Sequence, residues 1–212
     1  MVSNMKANQR LLLYILAMSL GGAVIGIDLG IIATTLAQKA FQDYMFPPGS
    51  KNIPSLTGAI VSMGSAGNAI GCLINGLLLE KLGRRKTLMF STLFTIVGSV
   101  FQTVANGVPL MIVGRFVAGF ALGILNPTIP IYISELAKPE ERARLVGIFG
   151  MLVALGFCLA NWIGYACSFA KGDVTWRLAL AMQVPCAALL LGFSFLLPES
   201  PRWCKSFFPF SY

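Results

Sequence analysis

Along almost the whole chain, long apolar runs alternate with short polar and basic clusters. An α-helix rises about 1.5 Å per residue, so about 20 apolar residues cross the roughly 30 Å of a bilayer's hydrocarbon. Six runs are of that order, at 11–36, 56–79, 87–105, 108–133, 143–168 and 177–197. The pattern predicts an all-α fold, a polytopic membrane protein with six transmembrane helices. The first run follows Lys6 and Arg10, as the core of a signal peptide would. It is too long for one and lacks a small-residue cleavage site, so it reads as a retained span.

The polar breaks orient the bundle. With both termini in the cytoplasm, Lys6, Arg10, Lys81, Arg84, Arg85, Lys86, Lys138, Arg142, Arg144, Arg202 and Lys205 lie on that side. Only Lys39, Lys51, Lys171 and Arg177 lie on the other. Basic residues accumulate in cytoplasmic loops, which favours this orientation over its inverse.

Composition narrows the function classes. Hydrophobic residues make up 56% and charged residues 11% of the 212-residue chain, and mean hydropathy is +0.77; a soluble domain carries about 25% charged residues. The net charge of +8 sits in loops between apolar runs and not on one face of a soluble fold, which argues against nucleic acid as a partner. Histidine is absent, which removes imidazole catalysis and histidine-based zinc sites. Cys72, Cys158, Cys167, Cys186 and Cys204 are widely spaced and read as packing residues, with no metal site or cofactor implied.

Small residues recur four apart at Gly22, Gly26 and Gly30, at Gly67 and Gly71, and at Gly119 and Gly123. Such spacing lets membrane helices approach closely. Asn126, Pro127 and Pro130 are expected to kink the fourth span.

Asp28 and Arg115 are the ionisable residues placed well inside the spans. A charge at such depth costs about 2.5–3.5 kcal/mol on insertion scales and needs a partner or a purpose. Asp28 stands eight residues before Leu36 and Arg115 seven after Val108, so both lie about 10–12 Å below the same surface. Facing each other, they form either a protonation switch, in which proton uptake by the carboxylate releases the arginine, or a fixed ion pair that locks two helices. A second constellation lies at three cytoplasmic helix ends: Glu80, Arg84, Arg85, Lys86 and Thr87; Glu135, Arg142 and Arg144; Glu199 and Arg202. It can tie the helices in one conformation, or it can reflect topology and helix capping alone.

The segments GIDLG at 26–30, GLLLEKLGRRKT at 76–87, GRFVAGFALG at 114–123, PIYISELAKPEERAR at 130–144 and PESPRW at 198–203 occur in order, each at a predicted span end or depth. On these motifs the chain resembles the sugar porter family of the major facilitator superfamily over 11–203. IATTLAQKAF at 32–41 and ANWIGYACSFA at 160–170 are most similar to its fungal members.

The resemblance implies a first lobe of that fold, two inverted three-helix repeats in residues 1–203, and alternating access against a second lobe. It implies transport of a sugar or related polyhydroxylated solute, without covalent chemistry. It also implies proton coupling through Asp28 with Arg115, and an inner-gate charge network of Glu80, Arg84, Arg85, Glu135, Arg144, Glu199 and Arg202. Lipid, solute and proton are the implied partners, in a plasma-membrane protein.

Three departures limit the resemblance. Glu80 stands where the family usually has aspartate. In the fifth span, the two positions where many members place glutamines are Gly150 and Phe157; Asn161 shares their face and could supply an amide. The family has twelve spans, whereas this chain ends soon after the first six on a divergent tail, 204–212. A reading-frame break or truncated gene is the expected origin. The rival readings are a sugar sensor, which would carry a long cytoplasmic tail, and a regulatory half that dimerises.

The basic asymmetry sets a first expectation. In intact cells an impermeant thiol reagent labels Lys51→Cys and leaves Arg85→Cys silent; labelling at 85 with silence at 51 inverts the topology.

Overall fold

The computed structural model describes residues 2–46, 52–170 and 172–199, with side chains from Ser19 onward. The described residues form helices joined by short turns: α1 (Val2–Ala37), α2 (Lys39–Met45), α3 (Ile53–Leu82), α4 (Arg84–Thr103), α5 (Val108–Leu136), α6 (Arg142–Cys167), α7 (Val174–Ala181) and α8 (Gln183–Ser194). The expected spans coincide with α1, α3, α4, α5 and α6 and with α7 and α8 taken together. The short α2 was not anticipated, and Phe41 and Met45 bury its apolar side.

Among the described residues, five segments are long and apolar enough to cross a membrane: Ser19–Ala37, Ile53–Leu82, Val108–Leu136, Arg142–Cys167 and Val174–Ser194. The third predicted span, now α4, falls short because Ser91, Thr92, Thr95, Ser99 and Gln102 stud it. These side chains are buried. The hydroxyls of Thr92, Thr95 and Ser99 donate to carbonyls one turn back, at 2.7, 3.0 and 2.8 Å. Their polarity is thereby satisfied inside the helix. The fourth predicted span, α5, runs through Pro127 and Pro130 without a break in its helix.

α5 is central: 56% of its membrane-length window is buried, against 22% for α3 and for α6. The main pairings are α3 with α5, α1 with α6, α4 with α5 and α4 with α8, with α1 also against α8. The α3–α5 and α1–α6 pairings are the most extensive, and α4 and α8 lie beside α5 and α1 respectively. One apolar cluster gathers Val24, Leu88, Leu125, Tyr132 and Leu190; another gathers Ile31, Phe41, Ile60, Met111 and Trp176.

The closest pairings rest on glycine. A Cβ at Gly22 would stand 2.8 Å from the Phe149 carbonyl oxygen, and one at Gly30 2.9 Å from that of Phe157. Gly26, between them, lies against the Val153 carbonyl, so α1 and α6 meet backbone to backbone. Gly67 and Gly71 of α3 lie against the Phe116 and Phe120 carbonyls of α5, while Gly119 and Gly123 of α5 lie against those of Gly64 and Asn68. All seven glycines picked out by spacing are helix contacts.

Gly26→Val is expected to force α1 off α6 and destabilise the protein by about 1–3 kcal/mol. Gly192→Val, where a Cβ meets nothing within 4 Å, should change stability by less than about 0.5 kcal/mol. Thermal melting in detergent checks both; equal melting of the two variants rejects the close-packing account.

Candidate functional site

The central helices carry the buried charges. Asp28 on α1 is 2% exposed and Arg115 on α5 is 6% exposed, and Arg115 Nη1 donates to Asp28 Oδ2 at 3.3 Å. The equal depth inferred from chain position is thus realised as contact. Gly64 of α3 makes room, since a Cβ there would lie 3.1 Å from Arg115 Nη2. Three helices therefore converge on the pair. It is not saturated: Asp28 Oδ1 and Arg115 Nε are buried without a hydrogen-bond partner among the described residues.

The charged ends of α3, α4 and α5 form the second constellation. α3 passes to α4 through Gly83 alone, at φ 84°, a left-handed conformation that glycine adopts without strain. The turn places Arg84, Arg85 and Lys86 at the amino end of α4, where the helix dipole opposes positive charge. Acidic groups offset this. Arg84 grips Glu135 at the end of α5 through Nη2 at 2.7 Å and Nε at 3.0 Å, and its Nη1 donates to the Leu79 carbonyl at 3.1 Å. Glu199 Oε2 accepts the Arg85 backbone N–H at 3.3 Å, and Arg85 Nη2 donates to the Phe195 carbonyl at 2.8 Å. Tyr132 of α5 donates to the Pro198 carbonyl.

Of the remaining members of that constellation, Glu80 is exposed at the end of α3. Arg144 is exposed on α6, with no ion pair to a described residue. Arg202 lies outside the described residues. The structure thus joins Arg84 to Glu135 and Arg85 to Glu199, and leaves Arg144 apart from both.

The fifth-span candidates share one side of α6. Gly150 is exposed, with nothing within 4 Å of a built Cβ, and Phe157 is exposed. Asn161 Nδ2 donates to the Phe157 carbonyl at 2.7 Å. With Trp162 and Tyr165, Asn161 lines an open hollow of about 410 Å³. The two aromatic residues escaped the sequence reading, because an aromatic near a span end has the pattern of an ordinary interfacial anchor.

Also missed was a clamp at the end of the bundle opposite Arg84 and Glu135. Arg177 Nη2 donates to Tyr44 Oη at 3.0 Å and Asn106 Oδ1 at 3.2 Å, and the guanidinium lies over the Tyr44 and Trp176 rings. It ties α2, the turn after α4, and α7. Gln183, buried with both amide atoms unpartnered among the described residues, was missed as well. A single glutamine inside an apolar run carries no spacing signal.

The helices thus form a packed apolar lobe with a buried ion pair at its centre and a charge cluster at one end. The model of the Sugar (and other) transporter family matches residues 14–206, and the chain belongs to that family. It is 40% identical over 185 residues to the MFS-type transporter criB of Aspergillus cristatus, covering 87% of this chain and 39% of that protein. It is 34% identical over 196 residues to the sugar transporter STL1 of Saccharomyces cerevisiae, covering 88% and 34%. To the quinate permease of Neurospora terricola it is 37% identical over 196 residues, covering 87% and 36%.

The fold matches a solved structure of the proton:xylose symporter XylE with a TM-score of 0.88 at 24% identity, over 94% of this chain and 47% of that one. The chain is an integral membrane protein, and it spans 39% or less of these three relatives' lengths.

Arg115→Met leaves a carboxylate buried without its cation and is expected to destabilise the protein by about 3–5 kcal/mol, whereas the double variant Asp28→Leu/Arg115→Met recovers most of that loss. Unfolding titrations of the single and double variants measure the coupling. Additive losses would mean that the two charges do not support each other.

Proposed function

We propose that this chain is one lobe of a carrier that moves a sugar or related polyhydroxylated solute across the plasma membrane together with protons. It works by alternating access against a second lobe, either covalently joined or a second copy. The reading rests above all on the Asp28–Arg115 pair, buried at the meeting of α1, α3 and α5 in a member of a transporter family. A charge pair that only stapled helices would be matched by well-packed apolar residues. Its retention there with one carboxylate oxygen unengaged suits a site that takes up and releases a proton.

Solute class is supported by two strands. Relatives in the family include a sugar transporter and a quinate permease, both carriers of polyhydroxylated solutes by name. The exposed side of α6 offers Asn161, Phe157 and Gly150 towards the path such a solute would follow, with one amide where many members have two. In this reading α4 crosses the membrane with the other helices, its hydroxyls satisfied within the helix. The end bearing Arg84 and Glu135 faces the cytoplasm, where their ion pair, with Arg85, Glu199, Glu80, Arg144 and Arg202, holds the inner side closed in one conformation and yields in the other.

The test is uptake of labelled hexoses, polyols and quinate into liposomes under an inward proton gradient. It uses the chain alone and the chain joined to the second lobe of a relative. The joined protein is expected to accumulate solute above equilibrium. Asp28→Asn is expected to abolish accumulation while sparing downhill counterflow. Accumulation that still follows the pH gradient in Asp28→Asn would assign coupling elsewhere, and failure to move any of these solutes would remove the substrate class.

A further inference from the structure

The two apolar clusters of the core meet at a polar layer. On α1, Val24 and Ile25 belong to one cluster and Ile31 and Ile32 to the other, with Asp28 between them. On α5, Leu122 and Met111 divide in the same way around Arg115. A third helix repeats the division: Ala187 and Leu190 lie in the first cluster, Trp176 and Leu180 in the second, and Gln183 stands between. Pro185 has no N–H for the Ala181 carbonyl, so the helix breaks at Met182 and Gln183 opens α8.

The three polar residues share one level. Asp28 stands nine residues before the end of α1, Arg115 seven after the start of α5 and Gln183 nine after the start of α7. A contact deeper in the bundle fixes which way Gln183 turns, since a Cβ at Gly21 would lie 3.4 Å from Leu190 Cδ2. α1 runs toward the Arg177 clamp, and α7 and α8 run away from it. Asp28, seven residues after Gly21, and Gln183, seven before Leu190, are thus each two turns further on, back on the facing sides. Gln183 is 2% exposed. Its Oε1 and Nε2, together with Asp28 Oδ1 and Arg115 Nε, are buried without a hydrogen-bond partner among the described residues. Two acceptors and two donors therefore lie in one layer, each costly to leave unpaired.

Proton uptake changes what Asp28 asks of its neighbours. The carboxylate only accepts, the carboxylic acid also donates, and a guanidinium donates in either case. Arg115 therefore serves the ionised form alone. An amide carries a donor and an acceptor on one side chain, so Gln183 can serve both forms by turning about its last bond. Among the described residues of the helices packed against α1, Arg115 is the one charged group at this depth; the others stand at helix ends, and the Cys186 thiol lies one turn inward of Gln183.

We propose that Gln183 is the positioning residue of a proton site at Asp28. Its Nε2 donates to Asp28 Oδ1 while the carboxylate is ionised, and its Oε1 accepts the new O–H once a proton from solvent has bound there. The inference rests on the reading of Asp28 as the proton acceptor, and supplies the hydrogen-bond acceptor that Arg115 lacks.

The test uses the 212-residue chain in nanodiscs. Infrared spectra at acid pH show the C=O stretch of protonated carboxyls, and the Asp28 band is the one lost in Asp28→Asn. Gln183→Met keeps the size of the side chain and removes the amide; it is expected to move that band to higher wavenumber, as for an O–H without an acceptor. Leu180→Ile, a neighbour in the same row, should leave the band in place. Unfolding titrations give a second readout that packing alone would not move. Gln183→Met is expected to lower the folding constant by roughly five-fold or more in the parent, the worth of one hydrogen bond. In Asp28→Leu/Arg115→Met it should raise that constant or leave it unchanged, because the amide there has no carboxyl to bond. An unmoved band, or an equal loss in both backgrounds, overturns the proposal and leaves proton uptake at Asp28 standing. A parent with no Asp28 band at acid pH removes the proton from this site, and the role of Gln183 with it.

Discussion

Two opposite charges inside an apolar bundle constrain everything around them. Neither Asp28 nor Arg115 can be left to hydrocarbon, so α1 and α5 must stand side by side with the two residues level, and α3 must leave space for the guanidinium. Gly64 supplies that space. The same requirement explains why α5 is the most enclosed of the later helices and why α3 and α6 stay at the periphery: the charge-bearing helices take the centre, where protein replaces lipid on most sides.

Hydrophobicity puts these helices in the membrane but cannot pair them there, because a leucine is as content against a lipid tail as against another leucine. Pairing falls to shape. Gly22, Gly26 and Gly30 fit the α6 backbone, and Gly67, Gly71, Gly119 and Gly123 let α3 and α5 do the same. Larger side chains in these rows would hold the paired backbones apart.

The charged end follows a related logic. A one-residue turn at Gly83 drives three basic residues into the positive end of the α4 dipole, a local conflict that sequence alone leaves unresolved. Glu135 from α5 and Glu199 beyond α8 relieve it by direct contact. Because the relieving carboxylates come from other helices, any rearrangement that separates the ends of α4, α5 and α8 must break charge-assisted bonds.

The repeating apolar length determined by itself that the chain is a helical membrane protein, because backbone polar groups in hydrocarbon must be bonded within each helix. Five ordered motifs identified the family, and two depth counts were enough to bring Asp28 to Arg115, since a helix converts residue number directly into height. The packing glycines were legible for the same reason. What the chain could not state is which way a side chain turns about the helix axis and what meets it there. Only the packed structure separates the glycines that touch α6 from those left open at Gly147 and Gly150, joins Arg84 to Glu135 while leaving Arg144 apart, and draws Arg177 between Tyr44 and Asn106. These are contacts between residues far apart in the chain, and their geometry is set by how helices pack, which height along one helix does not specify.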